Sequence, residues 1–80
     1  MKRVTVEYFA FLRDRSNVAR EEVSTDAATV RELYEEVAKR HRFTLPYSAI
    51  KAVINDEFVE MGLVLEDGMK VAFLPPVAGG

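Results

Sequence analysis

Thr29-Val30-Arg31-Glu32-Leu33-Tyr34-Glu35-Glu36-Val37-Ala38-Lys39-Arg40 is the stretch on which the fold turns. Val30, Leu33, Tyr34, Val37 and Ala38 recur at helical spacing and form one apolar stripe. Thr29 and Glu32 have capping-box spacing, in which hydroxyl and carboxylate each satisfy a backbone amide that the helix start leaves orphaned. Lys39, Arg40 and Arg42 gather at the far end, where cations suit the helix dipole. Pro46 bars any continuation. One helix with one apolar face needs one sheet face to cover it, so the flanking strands decide the rest.

Upstream, Val4-Thr5-Val6-Glu7-Tyr8 alternates apolar and polar residues, the pattern of a half-buried strand. Phe9 to Arg15 breaks the alternation and reads as a loop or short helical turn. Arg20-Glu21-Glu22-Val23-Ser24 is a second strand, antiparallel to the first if the two form a hairpin. Downstream, Ile50-Lys51-Ala52-Val53-Ile54 is a third strand, Asn55-Asp56-Glu57 supplies turn chemistry and Phe58-Val59 begins a short return. Asp67-Gly68 marks another turn before the final strand, Met69 to Leu74. Strands on both sides of a single helix predict an α+β fold: a mixed sheet packed on one main helix, the β-grasp or ubiquitin-like arrangement.

Composition narrows the function classes. Eighty residues make one domain, and a 49% hydrophobic share is too high for a disordered chain. A net charge of -2 with no basic stripe argues against nucleic acid as a partner. The absence of cysteine excludes disulfides, Cys-based metal sites and sulfur carriage on a side-chain thiol. His41 is the only histidine and cannot complete a metal site; a helix-end or solvent-facing role is expected, and no metal. Glu21-Glu22 and Glu35-Glu36 read as solvated faces, and Lys2, Lys39, Lys51 and Lys70 as surface charges. No apolar signal core or membrane-length run occurs, so the expected location is cytoplasmic, with no membrane contact. No Gly-rich phosphate loop with its lysine is present, so no nucleotide site is expected on this chain.

The reactive feature lies past the last strand, in Pro75-Pro76-Val77-Ala78-Gly79-Gly80. The expected division is a β-grasp domain over residues 1–74 and a flexible tail over 75–80. Two prolines favour an extended exit, and six residues at ~3.1–3.3 Å each reach roughly 20 Å. Gly79 and Gly80 have no Cβ, so a carboxylate at Gly80 could enter a passage too narrow for other residues. Strand alternation turns Val4, Val6, Tyr8, Val71 and Phe73 toward the helix and Phe9, Ala72 and Leu74 away from it. Phe9, Phe11 and Leu74 are therefore the expected partner interface beside the tail.

The run Leu65-Glu66-Asp67-Gly68-Met69-Lys70-Val71-Ala72-Phe73-Leu74-Pro75-Pro76-Val77-Ala78-Gly79-Gly80 resembles the C-terminus of MoaD-type proteins, the small subunits of molybdopterin synthase. Tyr8-Phe9-Ala10 with Leu12-Arg13-Asp14 is similar to that family's first-strand exit. Thr29-Val30-x-x-Leu33 is similar to its helix start, and Ala52-Val53-x-Asn55 to its third strand. Leu74 departs from a position that is often aromatic. The resemblance implies a sulfur carrier whose C-terminal glycine, Gly80, is adenylated, converted to a thiocarboxylate and used to build the molybdopterin dithiolene from cyclic pyranopterin monophosphate. It implies an E1-like adenylating enzyme and the large synthase subunit as partners, in a heterotetramer of two small and two large subunits. ATP and Mg would be used by the activating partner, with no cofactor bound by this chain. Catalytic side chains would belong to the large subunit. Three alternatives stay open: a ubiquitin-like carrier serving thiamine, tRNA thiolation or cysteine synthesis, a lysine-conjugated modifier, and an interaction module with an inert tail.

Overall fold

The computed structural model describes residues 1–76. Val77, Ala78, Gly79 and Gly80 lie outside the described residues, so the flexible tail expected over 75–80 is described only through Pro76. The chain runs through β1 (Lys2–Tyr8), α1 (Phe11–Ser16), β2 (Arg20–Thr25), α2 (Val30–His41), a 3₁₀ turn (Tyr47–Ala49), β3 (Lys51–Ile54), β4 (Glu57–Val59) and β5 (Lys70–Leu74). The five strands form one sheet in the order β2-β1-β5-β3-β4. β1 and β5 are parallel, and every other neighbouring pair is antiparallel. This is the mixed β-grasp sheet expected from the sequence, with α2 covering one face.

The alternation of β1 puts Val4, Val6 and Tyr8 into the core beside Val71 and Phe73 of β5. Val30, Leu33, Tyr34 and Val37 of α2 close over them, all at most 1% exposed. Tyr34 and Phe73 meet edge to face at 5.2 Å between ring centroids, a geometry that adds about 0.5–1.5 kcal/mol beyond area burial.

The start of α2 is fully capped. Thr29 Oγ1 accepts from the Glu32 amide at 3.2 Å, half of the expected capping box. The Glu32 carboxylate reaches one residue further back than that motif predicts and accepts from the Ala28 amide at 3.3 Å. Backbone carbonyls from the β4–β5 connection do the remaining work, since the Val30 amide donates to Leu63 and the Arg31 amide to Met61. At the other end Arg42 is the C-cap, with φ 61°.

Two turns set the register of the second half. Asn55 and Asp56 both have positive φ, 54° and 67°, which gives the β3–β4 hairpin its tight two-residue connection. Gly68, at φ 88°, completes a turn that leads into β5 from a long connection and not from a hairpin. It is tied to the start of β1: the Arg3 amide donates to Asp67 Oδ1 at 2.7 Å, and the Gly68 amide donates to the Arg3 carbonyl at 2.8 Å. That anchoring fixes where β5 begins, and so where it ends and delivers Pro75.

Candidate functional site

The pairing registers define the outer face of the sheet. Arg20, Glu7, Ala72, Val53 and Phe58 stand opposite one another across all five strands in a single row. The row changes character along its length, from an Arg20–Glu7 ion pair at 3.8 Å to an apolar end at Phe58, which is 72% exposed. Leu74 lies two residues beyond Ala72 on the same strand and hence on the same face, opposite Lys51. Glu7, Phe9, Val53, Asn55, Asp56, Lys70, Ala72 and Leu74 line a shallow depression there.

This places two of the three expected interface residues together. Phe9 and Leu74 share the outer-face depression, and Pro75 continues directly from its rim. Phe11 stands apart. Ala10, at φ 53°, turns the chain out of β1 into α1, and Phe11 lines a second groove with Asp14, Arg15, Phe43 and Thr44. Phe58 and Val53 complete the apolar outer face and were not singled out by sequence reasoning. The signal was available in the two-residue Asn55-Asp56 turn, which makes Val53 and Phe58 partners and puts both on one face.

Behind the site, Glu21 and His41 take positions that differ from the expected solvated ones. Glu21 is only 20% exposed at its side chain. Its Oε2 accepts from the Tyr8 hydroxyl and lies 2.6 Å from His41 Nε2, while Arg40 Nη1 approaches Oε1 at 3.6 Å. Alternation in β2 explains this: Glu21 shares the inward face with Val23 and Thr25, at the edge of the core where α2 ends. The helix-end placement of His41 holds, but its ring packs against Tyr8 and Phe43 at 5.4 and 5.6 Å and is not solvent-facing. Glu22 does face solvent, 3.7 Å from Arg3, and Glu36 accepts from the Thr25 hydroxyl at 2.6 Å.

Burial pushes the Glu21 carboxyl up, but hydrogen bonds from Tyr8 and His41 and the charges of His41 and Arg40 outweigh it. The group is held below its ordinary value. Burial, then the bond to Glu21 and that carboxylate's charge, push the Tyr8 hydroxyl far above the usual phenol range. A carboxylate with a lowered folded value stabilises the fold above its unfolded value and loses that contribution as pH falls through the folded one. Thermal melts should therefore show wild type above Glu21→Gln at neutral pH, with the gap closing as the solution is acidified below the usual carboxylate range. A gap that is constant with pH would remove Glu21 ionisation from the stability of this corner.

Among the described residues no cluster of His, Cys, Asp or Glu has metal-site geometry, and no helix is long and apolar enough to cross a membrane. The outer face offers apolar contact area flanked by Lys51, Lys70 and Asp56, and a chain that leaves from its edge. Such a face has the character of a docking surface, and the chain leaves its edge through Pro75 and Pro76.

Comparison with known proteins follows the same lines. Residues 6–80 match the ThiS family. The chain is 34% identical over 80 residues to the molybdopterin synthase sulfur carrier subunit of Escherichia coli, covering 96% of this chain and 99% of that protein. Among solved structures, the putative molybdopterin converting factor subunit 1 of Pyrococcus furiosus is 30% identical, with a TM-score of 0.78 over 96% of this chain and all of that one. Small archaeal modifier protein 1 of H. volcanii superposes with a TM-score of 0.81 over 96% of this chain and all of that one; at 22% identity it establishes the fold.

Proposed function

This chain belongs to the ThiS family, and from that premise we propose that it is the sulfur-carrier small subunit of a molybdopterin synthase. The observation that carries the reading is full-length similarity to the E. coli carrier subunit, combined with a sheet that ends β5 beside an exposed apolar face. The reacting group is the carboxylate of Gly80, and Gly79 gives close access to it.

A carboxylate is a poor electrophile and is activated first. In an ATP- and Mg-using partner, a Gly80 oxygen attacks the α-phosphorus of ATP, pyrophosphate leaves, and an acyl-adenylate forms. Hydrosulfide-level sulfur from a donor then attacks the acyl carbon, AMP departs with the electron pair of the broken C–O bond, and loss of the sulfur-bound proton leaves the thiocarboxylate. The thiocarboxylate sulfur is a better nucleophile than the oxygen it replaces. Two such sulfurs, delivered in turn to the large subunit, build the dithiolene of molybdopterin from cyclic pyranopterin monophosphate. The acids and bases for these steps are assigned to the partners, as the likeness to MoaD-type small subunits implies. The working assembly is a heterotetramer of two small and two large subunits.

The apolar outer face is the contact that holds either partner while the tail is inserted. Phe58→Ala should weaken partner binding by more than about 1 kcal/mol, the level that separates contributing interface residues from neutral ones. Because Phe58 is largely exposed, the melting temperature should barely change.

The reading is tested by intact-mass spectrometry after incubation with ATP, the activating enzyme and a sulfur source. The expected product is heavier by the exchange of one oxygen for sulfur, localised to Gly80. An unchanged mass with a competent enzyme would overturn it. Slow-migrating lysine conjugates that vanish when Gly80 is deleted would indicate a modifier.

A further inference from the structure

The charges of this chain are unevenly distributed. Arg13 and Arg15 lie on α1, which follows directly from the end of β1. Lys39, Arg40 and Arg42 occupy the last turn and C-cap of α2. Arg20 opens β2 opposite Glu7, and Lys51 opens β3 opposite Leu74. The registers bring all of these to the end of the molecule where β5 finishes. Tyr8 pairs with Phe73, and its ring meets those of His41 and Phe43 at the end of α2. Arg15 Nε donates to the Arg42 carbonyl at 3.4 Å, joining α1 to the α2 C-cap.

Seven of the eleven cations therefore stand at the tail-bearing end, against four of the thirteen acids, Glu7, Asp14, Glu21 and, past the end of β4 beside Lys51, Glu60. Two of those acids are already engaged, Glu7 with Arg20 and Glu21 with Arg40 and His41. Arg13, Arg15, Lys39, Arg42 and Lys51 are exposed, and among the described residues none forms an ion pair. The dipole of α2 accounts for Lys39 and Arg40. It does not account for Arg13, Arg15 and Lys51, which stand on other elements. Like charges gathered in this way repel one another and destabilise the compact state.

We propose that this end is an electrostatic docking collar, built from Arg13, Arg15, Lys39 and Arg42, that fits an acidic rim around the tail-receiving pocket of the adenylating partner. The proposal rests on the reading of residues 75–80 as a delivered tail. A molecule of net charge -2 with a basic end and an acidic body is strongly dipolar, so an acidic rim turns it to approach tail first. An acidic protein surface fits better than nucleic acid, whose phosphates would extend past the collar onto Glu22, Glu57 and Glu66. The collar lies on the helical side of the sheet, apart from the apolar outer face. The two surfaces divide the work: charge sets the approach, and apolar contact holds the docked state.

The test uses the variant Arg13→Gln, Arg15→Gln, Lys39→Gln, Arg42→Asn, where Asn suits the left-handed backbone of the C-cap. Adenylation of the whole chain by its activating enzyme is followed by ATP–pyrophosphate exchange at low and high salt. At low salt the variant should show a KM for the carrier raised roughly tenfold or more, with kcat and melting temperature unchanged, because steering changes encounter rates by about 10–10³-fold. The difference should close near 1 M salt, where the screening length falls to about 3 Å. Equal KM values at low salt, or a loss that persists at high salt, overturn the collar. Wild type that is never adenylated would sink the tail reading instead. The collar is then decided separately on a polyglutamate resin at low salt, which should retain wild type more strongly than the variant. Co-elution of the two, or tighter wild-type binding to a single-stranded RNA than to polyglutamate, overturns it.

Discussion

Extending the chain by one alanine beyond Gly80 should abolish sulfur loading and leave the melting temperature where it was. The two halves of this result have different origins. The hydrophobic core closes at Phe73, which is fully buried, and Pro76 is already exposed. The described core is complete without any residue past Phe73, so the fold should not notice an addition after Gly80. The chemistry is far less tolerant. A further residue moves the carboxylate by up to about 3.3–3.6 Å and adds a Cβ next to it. A misplacement of about 1 Å already costs on the order of 10²-fold in a reaction that depends on positioning. Intact-mass spectrometry should show the extended chain at its starting mass under conditions that convert wild type. Loading of the extended chain at the wild-type rate would place the reactive group somewhere other than Gly80.

How much of this was legible in the sequence depended on the range of the interaction. The amphipathic period of Val30, Leu33, Tyr34 and Val37 is local, and it gave both the helix and its buried face. The alternation through Tyr8 and Phe73 is local too, so Phe9 and Leu74 came out on the correct side of the sheet. Phe58 required a register across a turn before its place in the outer-face row became visible. Glu21 was misread as a solvated face because nothing near it in sequence announces a partner. Its hydroxyl donor is thirteen residues away on β1, and its imidazole twenty residues away on α2. Phe11 was grouped with Phe9 by proximity in sequence, yet the positive φ at Ala10 sends it to a different groove. Pairings that fold topology creates between distant segments were the part that residue patterns did not carry.

Phe73 and Leu74 make the sharpest contrast, because adjacent residues on one strand should give opposite phenotypes. Phe73→Ala empties a site packed against Tyr34 and the α2 stripe, a class of change that costs about 3–5 kcal/mol. A domain of this size has only about 5–15 kcal/mol of stability in total and shifts by roughly 4–8 °C for each kcal/mol. A drop on the order of 20 °C in melting temperature is the expected result. Leu74→Glu points the other way across the pleat. Its side chain is half-buried on the outer face, and the register places it opposite Lys51, where a Glu gains an opposite charge as cross-strand neighbour. The fold should therefore survive with little loss. Partner binding should not, because taking a carboxylate out of water into an apolar interface carries a desolvation cost of several kcal/mol, which pairing with Lys51 need not repay. A loss of about 2 kcal/mol or more, some thirtyfold in Kd, would mark Leu74 as an interface anchor. Calorimetric melts and titration against the large subunit separate the two effects. Unfolding of Leu74→Glu would put that side chain in the core after all, and wild-type affinity in a folded variant would move the docking surface off this face of the sheet.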